Sequence, residues 1–173
     1  MEKQEAPERK RRPLTALDLG KAGCLAVLIG FCVFAVLTLQ RHGGQNRPWV
    51  KCLSNMIEVY KATKIYAADH GEHLPPAESW CDALERPYLG TQAFFYCPEQ
   101  PTAYGYAMNS DLSGARLDAV TDPHGTPLYF ESDAGWPNAA DPVLSLPDPP
   151  RHPVGNNLIF PDGHYEVWKG TRR

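Results

Sequence analysis

No Cys-x-x-Cys pair, no phosphate-cradling glycine loop and no Gly-x-Ser-x-Gly elbow occurs in this sequence. Those absences exclude dithiol redox motifs, P-loop nucleotide hydrolases and the common serine hydrolases. An excess of one charge is missing too. Lys and Arg number 17 against 20 Asp and Glu, a net −3, which gives no basis for a nucleic-acid partner. No unit repeats, so solenoids and propellers are excluded. Cysteine is scarce at five, and only Cys52, Cys81 and Cys97 follow the apolar segment.

One long apolar run is present. Ala22 to Leu39 is 18 residues without a charge. As a helix it spans roughly 27 Å, close to the ~30 Å hydrocarbon core of a bilayer. Lys3, Arg9, Lys10, Arg11, Arg12 and Lys21 precede it. Positive flanks stay in the cytoplasm, so the remainder is expected outside the inner membrane. The run is long for a signal peptide and no small-x-small cleavage site follows, so an uncleaved anchor is preferred. The organisation expected is a basic tail over 1–18, a membrane helix over 19–40, a Gly- and Pro-containing linker over 41–48 and an outer domain over 49–173.

Within the outer domain the period first turns helical. Trp49, Leu53, Met56, Tyr60, Thr63 and Ala67 step by three and four and mark one helix face. Cys52, Val59 and Tyr66 widen the stripe, and Gly71 is placed to end it. Ser79 is placed to cap a second short helix through Trp80, Leu84 and Leu89, distorted at Pro87. Later residues favour turns and short strands, since 14 of the 17 prolines follow residue 70. Strands are predicted near 104–109, 126–132, 157–161 and 164–169, the last two forming a hairpin around Pro161-Asp162-Gly163. Residues 133–153 are too proline-rich for regular structure and read as a loop. The fold class is α+β, an amphipathic helix packed on a small antiparallel sheet.

These elements carry a family resemblance. The pieces, in order, are Cys52-Leu53-Ser54-Asn55, Tyr66-Ala67-Ala68-Asp69 with Gly71, Leu74-Pro75-Pro76 with Trp80, and Tyr88-Leu89. Phe95-Tyr96-Cys97-Pro98, Tyr106-Ala107-Met108-Asn109, Phe130-Glu131, Arg151-His152, Asn157 and Asp162-Gly163-His164 follow. Nine residues separate His152 from Asp162. The domain thus resembles the bacterial pilin-like family named for its His-x9-Asp-Gly motif, here His152, Asp162 and Gly163. That family is associated with prepilin-type processing and related to type II secretion pseudopilins. The resemblance implies a pilin-like fold, a structural rather than catalytic role, and protein partners in a secretion or envelope assembly. Prepilins carry a glycine, an aromatic residue and then a glutamate at the membrane entrance. Here Gly20 is followed by Lys21, and Leu25 stands where the glutamate belongs. Standard prepilin processing is therefore not expected.

Candidate chemistry is thin. His70 and His73 are three apart around Gly71 and lack the metalloprotease spacing. His152, Asp162 and His164 admit a metal or catalytic reading, the alternative being a membrane-anchored metal-binding or enzymatic domain. Turn chemistry at Asp162-Gly163, with His152 pinning the loop to the sheet, suffices without it. Asp111, Asp118, Asp122, Glu131, Asp133 and Asp141 read as loop acids of the kind that bind calcium, but without its tight alternating spacing. No cofactor is expected. One disulfide is, between Cys97 and either Cys52 or Cys81.

Overall fold

The computed structural model describes residues 27–34 and 47–170. The chain divides into two compact units, Met1–Gly43 and Gly44–Arg173. In the first, residues 27–34 are helical, with Val27, Leu28, Ile29, Phe31 and Phe34 exposed. The predicted tail and the rest of the predicted membrane span lie outside the described residues. Among the described residues no helix is long and apolar enough to cross a membrane.

The second unit opens with helix α1, Pro48–Asp69. Pro48, read from sequence as part of a break, is instead in its first turn. That position suits proline, because its missing N–H would have no helical partner there. Cys52, Leu53, Met56, Val59, Thr63 and Ala67 are buried, and Trp49 and Tyr60 half-buried, as the stripe predicts. Past the helix end, Gly71 has φ +65°, and the N–H groups of His70 and Glu72 both donate to the Ala67 carbonyl.

The second helix, α2 (Trp80–Leu84), begins after Ser79, but Ser79 makes no side-chain cap. Asn138, far along the chain, caps it instead. Its Oδ1 accepts from the N–H groups of Cys81 and Asp82 at 2.7 and 3.3 Å.

The strands are β1 (Tyr96–Cys97), β2 (Gln100–Asn109), β3 (Tyr129–Gly135), β4 (Ala140–Asp141), β5 (Asn156–Ile159) and β6 (Tyr165–Trp168). They form one sheet in the order β1-β2-β3-β5-β6, with β4 added parallel to β2. All other pairings are antiparallel. The α+β class read from the sequence is correct. The sheet is larger than the predicted three to four strands, because β1 and β4 are only two residues long and leave no periodic signal.

Alternation along the strands divides two cores between the faces of the sheet. Tyr106, Met108, Tyr129 and Ile159 join α1, Trp80 and Phe95 in one. Tyr129 Oη meets Thr63 Oγ1 at 2.8 Å, and the Trp80 indole donates to the Ala139 carbonyl at 3.0 Å. Ala107, Phe130, Leu158 and Phe160 face the other way and pack with Ala139 and Leu146. The proline-rich segment read as a loop is therefore a lid on the second face. It also supplies β4 and the end of β3.

Candidate functional site

Strand β5 sets out the geometry. His152 lies before it and Asp162 after it, and four extended residues span roughly 13 Å. The motif histidine and aspartate therefore stand at opposite ends of the strand. Each gathers a different group of titratable side chains.

The group at the first end is buried. α1 contributes Cys52, β1 Cys97, β3 Glu131 and β5 Asn157, all with no exposed surface, and His152 is 2% exposed. The ligand atoms of Cys52, Cys97 and His152 all lie within 4.8 Å of one another. His152 Nε2 is 3.7 Å from Cys97 Sγ and 3.0 Å from Glu131 Oε1. Asn157 Nδ2 donates to the same Glu131 oxygen at 2.8 Å and to the Trp49 carbonyl at 3.2 Å. On the far side of the ring, His152 Nδ1 is 2.8 Å from Glu99 Oε2, although not aligned as a hydrogen bond. Glu131 Oε2 and Asn157 Oδ1 are buried without a partner.

Charge is concentrated there. Cys52 bonding to its sulfur, with His152 assisting against burial, lowers the Cys97 thiol to about 4. The hydrogen bond to Cys97 and burial push Cys52 upward. Burial opposes a charged ring at His152, but its bonds to Cys97 and Glu131 outweigh that and hold it at about 10. The Arg151 guanidinium adjoins the group, donating to the Gly105 and Ser132 carbonyls and to Asp133. An open cleft of about 690 Å³ has Trp49, His152, Pro153 and Lys169 in its walls. Cys97 itself is fully buried, a poor position for a nucleophile that must meet a substrate.

The second group is exposed. His124 Nδ1 is 3.0 Å from Asp162 Oδ2, and His164 Nδ1 is 2.5 Å from Asp162 Oδ1. The His124 and His164 rings stack at 4.0 Å. Bonds from His124 and then His164 hold the Asp162 carboxyl well below the usual carboxylate range, and Asp162 in turn raises His124. The turn chemistry expected at Asp162 is present, since its Oδ1 accepts from the His164 N–H at 3.1 Å. Gly163 has φ +92°, and a Cβ there would meet the Tyr60 hydroxyl at 3.0 Å. Glycine is required on both counts.

The structure thus separates His152 from Asp162 and His164, three residues that a single site would need together. His124 was not singled out from sequence, because nothing local ties it to a turn 38 positions later. The loop acids resolve differently from their sequence reading. Glu131 and Asp133 lie in β3 and Asp141 in β4. Asp118 pairs with Arg116, Asp122 accepts from the Gly125 N–H, and Asp141 from Leu144 and Ser145. Among the described residues none of the six is a member of a three-ligand cluster, although Glu131 borders one through His152 Nε2 at 3.0 Å. His70 and His73 use Nδ1 on the carbonyls of Tyr66 and His70. Cys32, Cys52, Cys81 and Cys97 are free thiols. Of the two partners predicted for Cys97, Cys52 is the neighbour, whereas Cys81 Sγ accepts from the Asn138 N–H.

Fold and site define an α+β domain, a helix on an antiparallel sheet, with a buried Cys–His–Glu group. No family model matches the chain, and neither a curated protein nor a solved structure matches it.

Proposed function

We propose that this chain is a membrane-anchored, pseudopilin-like structural protein that is not processed as a standard prepilin. The 18-residue apolar segment anchors it in the inner membrane with the basic tail in the cytoplasm and the α+β domain outside. Its role is contact with a secretion or envelope assembly. The observation that carries this reading is the order of parts. An apolar segment precedes a helix whose striped face packs on an antiparallel sheet, and the motif pieces from Cys52 to Gly163 fall on those elements in sequence. Phe130-Glu131 lies in β3, Asn157 in β5, and Asp162-Gly163 at the β5–β6 turn.

Lys21 and Leu25 support the unprocessed form. A glutamate in lipid is costly and is kept only where it acts, and Leu25 carries neither its cost nor its charge. Sequencing the mature N-terminus from membranes tests the proposal. An intact N-terminal tail is expected, and a methylated N-terminus at Lys21 would restore a processed filament subunit. Protease added to intact spheroplasts is expected to remove the domain, and full protection would overturn the orientation.

A further inference from the structure

We propose that Cys52, Cys97 and His152 bind a thiophilic divalent cation, Zn²⁺ in the first instance, with Glu131 as the fourth ligand. This inference concerns the outer domain alone and does not rest on the anchor or the pseudopilin reading.

Three observations converge. The first is spacing. Zinc takes sulfur at about 2.3 Å and nitrogen or oxygen at about 2.0 Å in a tetrahedron. The edges of such a tetrahedron are roughly 3.5 Å between sulfur and nitrogen and roughly 3.3 Å between nitrogen and oxygen. His152 Nε2 stands 3.7 Å from Cys97 Sγ, the Cys52 sulfur falls within the same 4.8 Å group, and Glu131 Oε1, outside that group, is 3.0 Å from His152 Nε2. The two sulfurs and the imidazole already stand together, and the Glu131 carboxylate swings in from beside His152 to complete the set.

The second is the set of buried polar atoms left over, which includes His152 Nδ1. Glu131 Oε2 and Asn157 Oδ1 are buried without a partner. An unpaired buried carboxylate oxygen costs several times what a typical hydrogen bond contributes, and a bound cation removes that cost. A network of hydrogen bonds alone leaves it in place. So does a Cys52–Cys97 disulfide, which takes up the sulfurs and leaves Glu131 as it is.

The third is support around the ligands. Metal-binding histidines commonly present their other ring nitrogen to a carboxylate, which fixes the tautomer. Glu99 Oε2 lies 2.8 Å from His152 Nδ1, off the line of a hydrogen bond, and a small turn of the ring would give Nδ1 that carboxylate partner while Nε2 takes the metal. Two thiolates and a carboxylate around Zn²⁺ leave one net negative charge. The adjoining Arg151 guanidinium, felt by both Glu131 and Cys97, offsets it.

The test uses the full chain, purified in detergent under reductant, with Zn²⁺ and Co²⁺ as probes. One zinc per chain is expected, removed by a chelator and restored by added Zn²⁺. Cobalt should give the thiolate-to-metal charge-transfer absorption. Cys52→Ser, Cys97→Ser and His152→Gln should abolish both signals, and Cys81→Ser should retain them. Glu99→Gln should weaken zinc binding by roughly 10–100-fold. The wild-type cobalt spectrum decides the matter even where a serine variant fails to fold: absence of the thiolate band overturns the proposal. A Cys52–Cys97 disulfide in protein isolated with its thiols trapped in the cell would overturn it as well.

Discussion

The two ends of β5 hold nearly the same residue types in opposite surroundings. At one end His152 meets Glu131 and Cys97 in a buried group, and at the other His124 and His164 meet Asp162 in the open. The His152 and Glu131 side chains are 0% exposed, whereas His124 is 74% exposed. Exposed ion pairs are screened by water and salt and contribute little. Buried ones interact strongly but carry a desolvation cost that only complete pairing offsets. The contrast assigns separate tasks to the two halves of the motif. Asp162 and Gly163 shape a turn, whereas His152 ties the start of β5 to β3, β1 and the first turns of α1.

The contrast is sharpened most by Glu131→Ala. It removes the partner of both His152 and Asn157 from a buried site. A loss of roughly 3–5 kcal/mol is expected in chemical denaturation of the metal-free protein. A loss below about 1 kcal/mol would make the buried end behave like the exposed one. Gly163→Ala comes next. It places a Cβ against Tyr60 at φ +92° and should cost about 1–3 kcal/mol while leaving the His152 group intact. Cysteine reactivity altered by that variant would show the two ends to be coupled. Tyr60→Phe deletes the hydroxyl that donates to the Pro161 carbonyl at 2.9 Å and should cost about 1 kcal/mol. An unchanged denaturation midpoint would mean that the turn does not depend on that tie to α1.

The smallest effect belongs to Asp162→Asn. His124 is raised by Asp162, so its contribution to stability is complete below its unfolded value near 6.5 and is lost as pH rises through its folded value. Asp162 is lowered, so its contribution is present above about 3.9 and is lost as pH falls through its folded value. The pair therefore supports the fold most between about pH 4 and 6.5. In a proton NMR titration the variant should return His124 toward its ordinary value. A His124 titration unchanged by the substitution would sever that pair.

Much of the fold was legible because its signals are local. The α1 stripe needs only a period of 3.6, the β5–β6 hairpin only an Asp-Gly turn between apolar runs, and Gly71 only its place after the last striped residue. Where the reading failed, the determining partner was distant in sequence. Ser79 had the right chemistry and place for a cap, yet Asn138 does the capping from 57 positions away. Glu131 read as a loop acid although it falls inside the predicted strand 126–132, which the structure bears out; two residues after Tyr129, it shares that residue's face of the sheet. The two-residue strands β1 and β4 have no period to detect.

The amino-acid order by itself determined the helices, the hairpin, the apolar segment and the His-x9-Asp-Gly spacing. Each depends on neighbours within a few residues and on the direction of a side chain along its own element. Only the tertiary structure decided that His152 and Asp162 are strangers, that Cys97 lies beside Cys52 rather than Cys81, and that His124 completes the exposed group. Those relations arise when α1 and β1 come together with β3 and β5, and strand pairing sets which side chains share a face across tens of residues. A sequence states which groups are available, and burial against specific partners decides their charge and what they can hold.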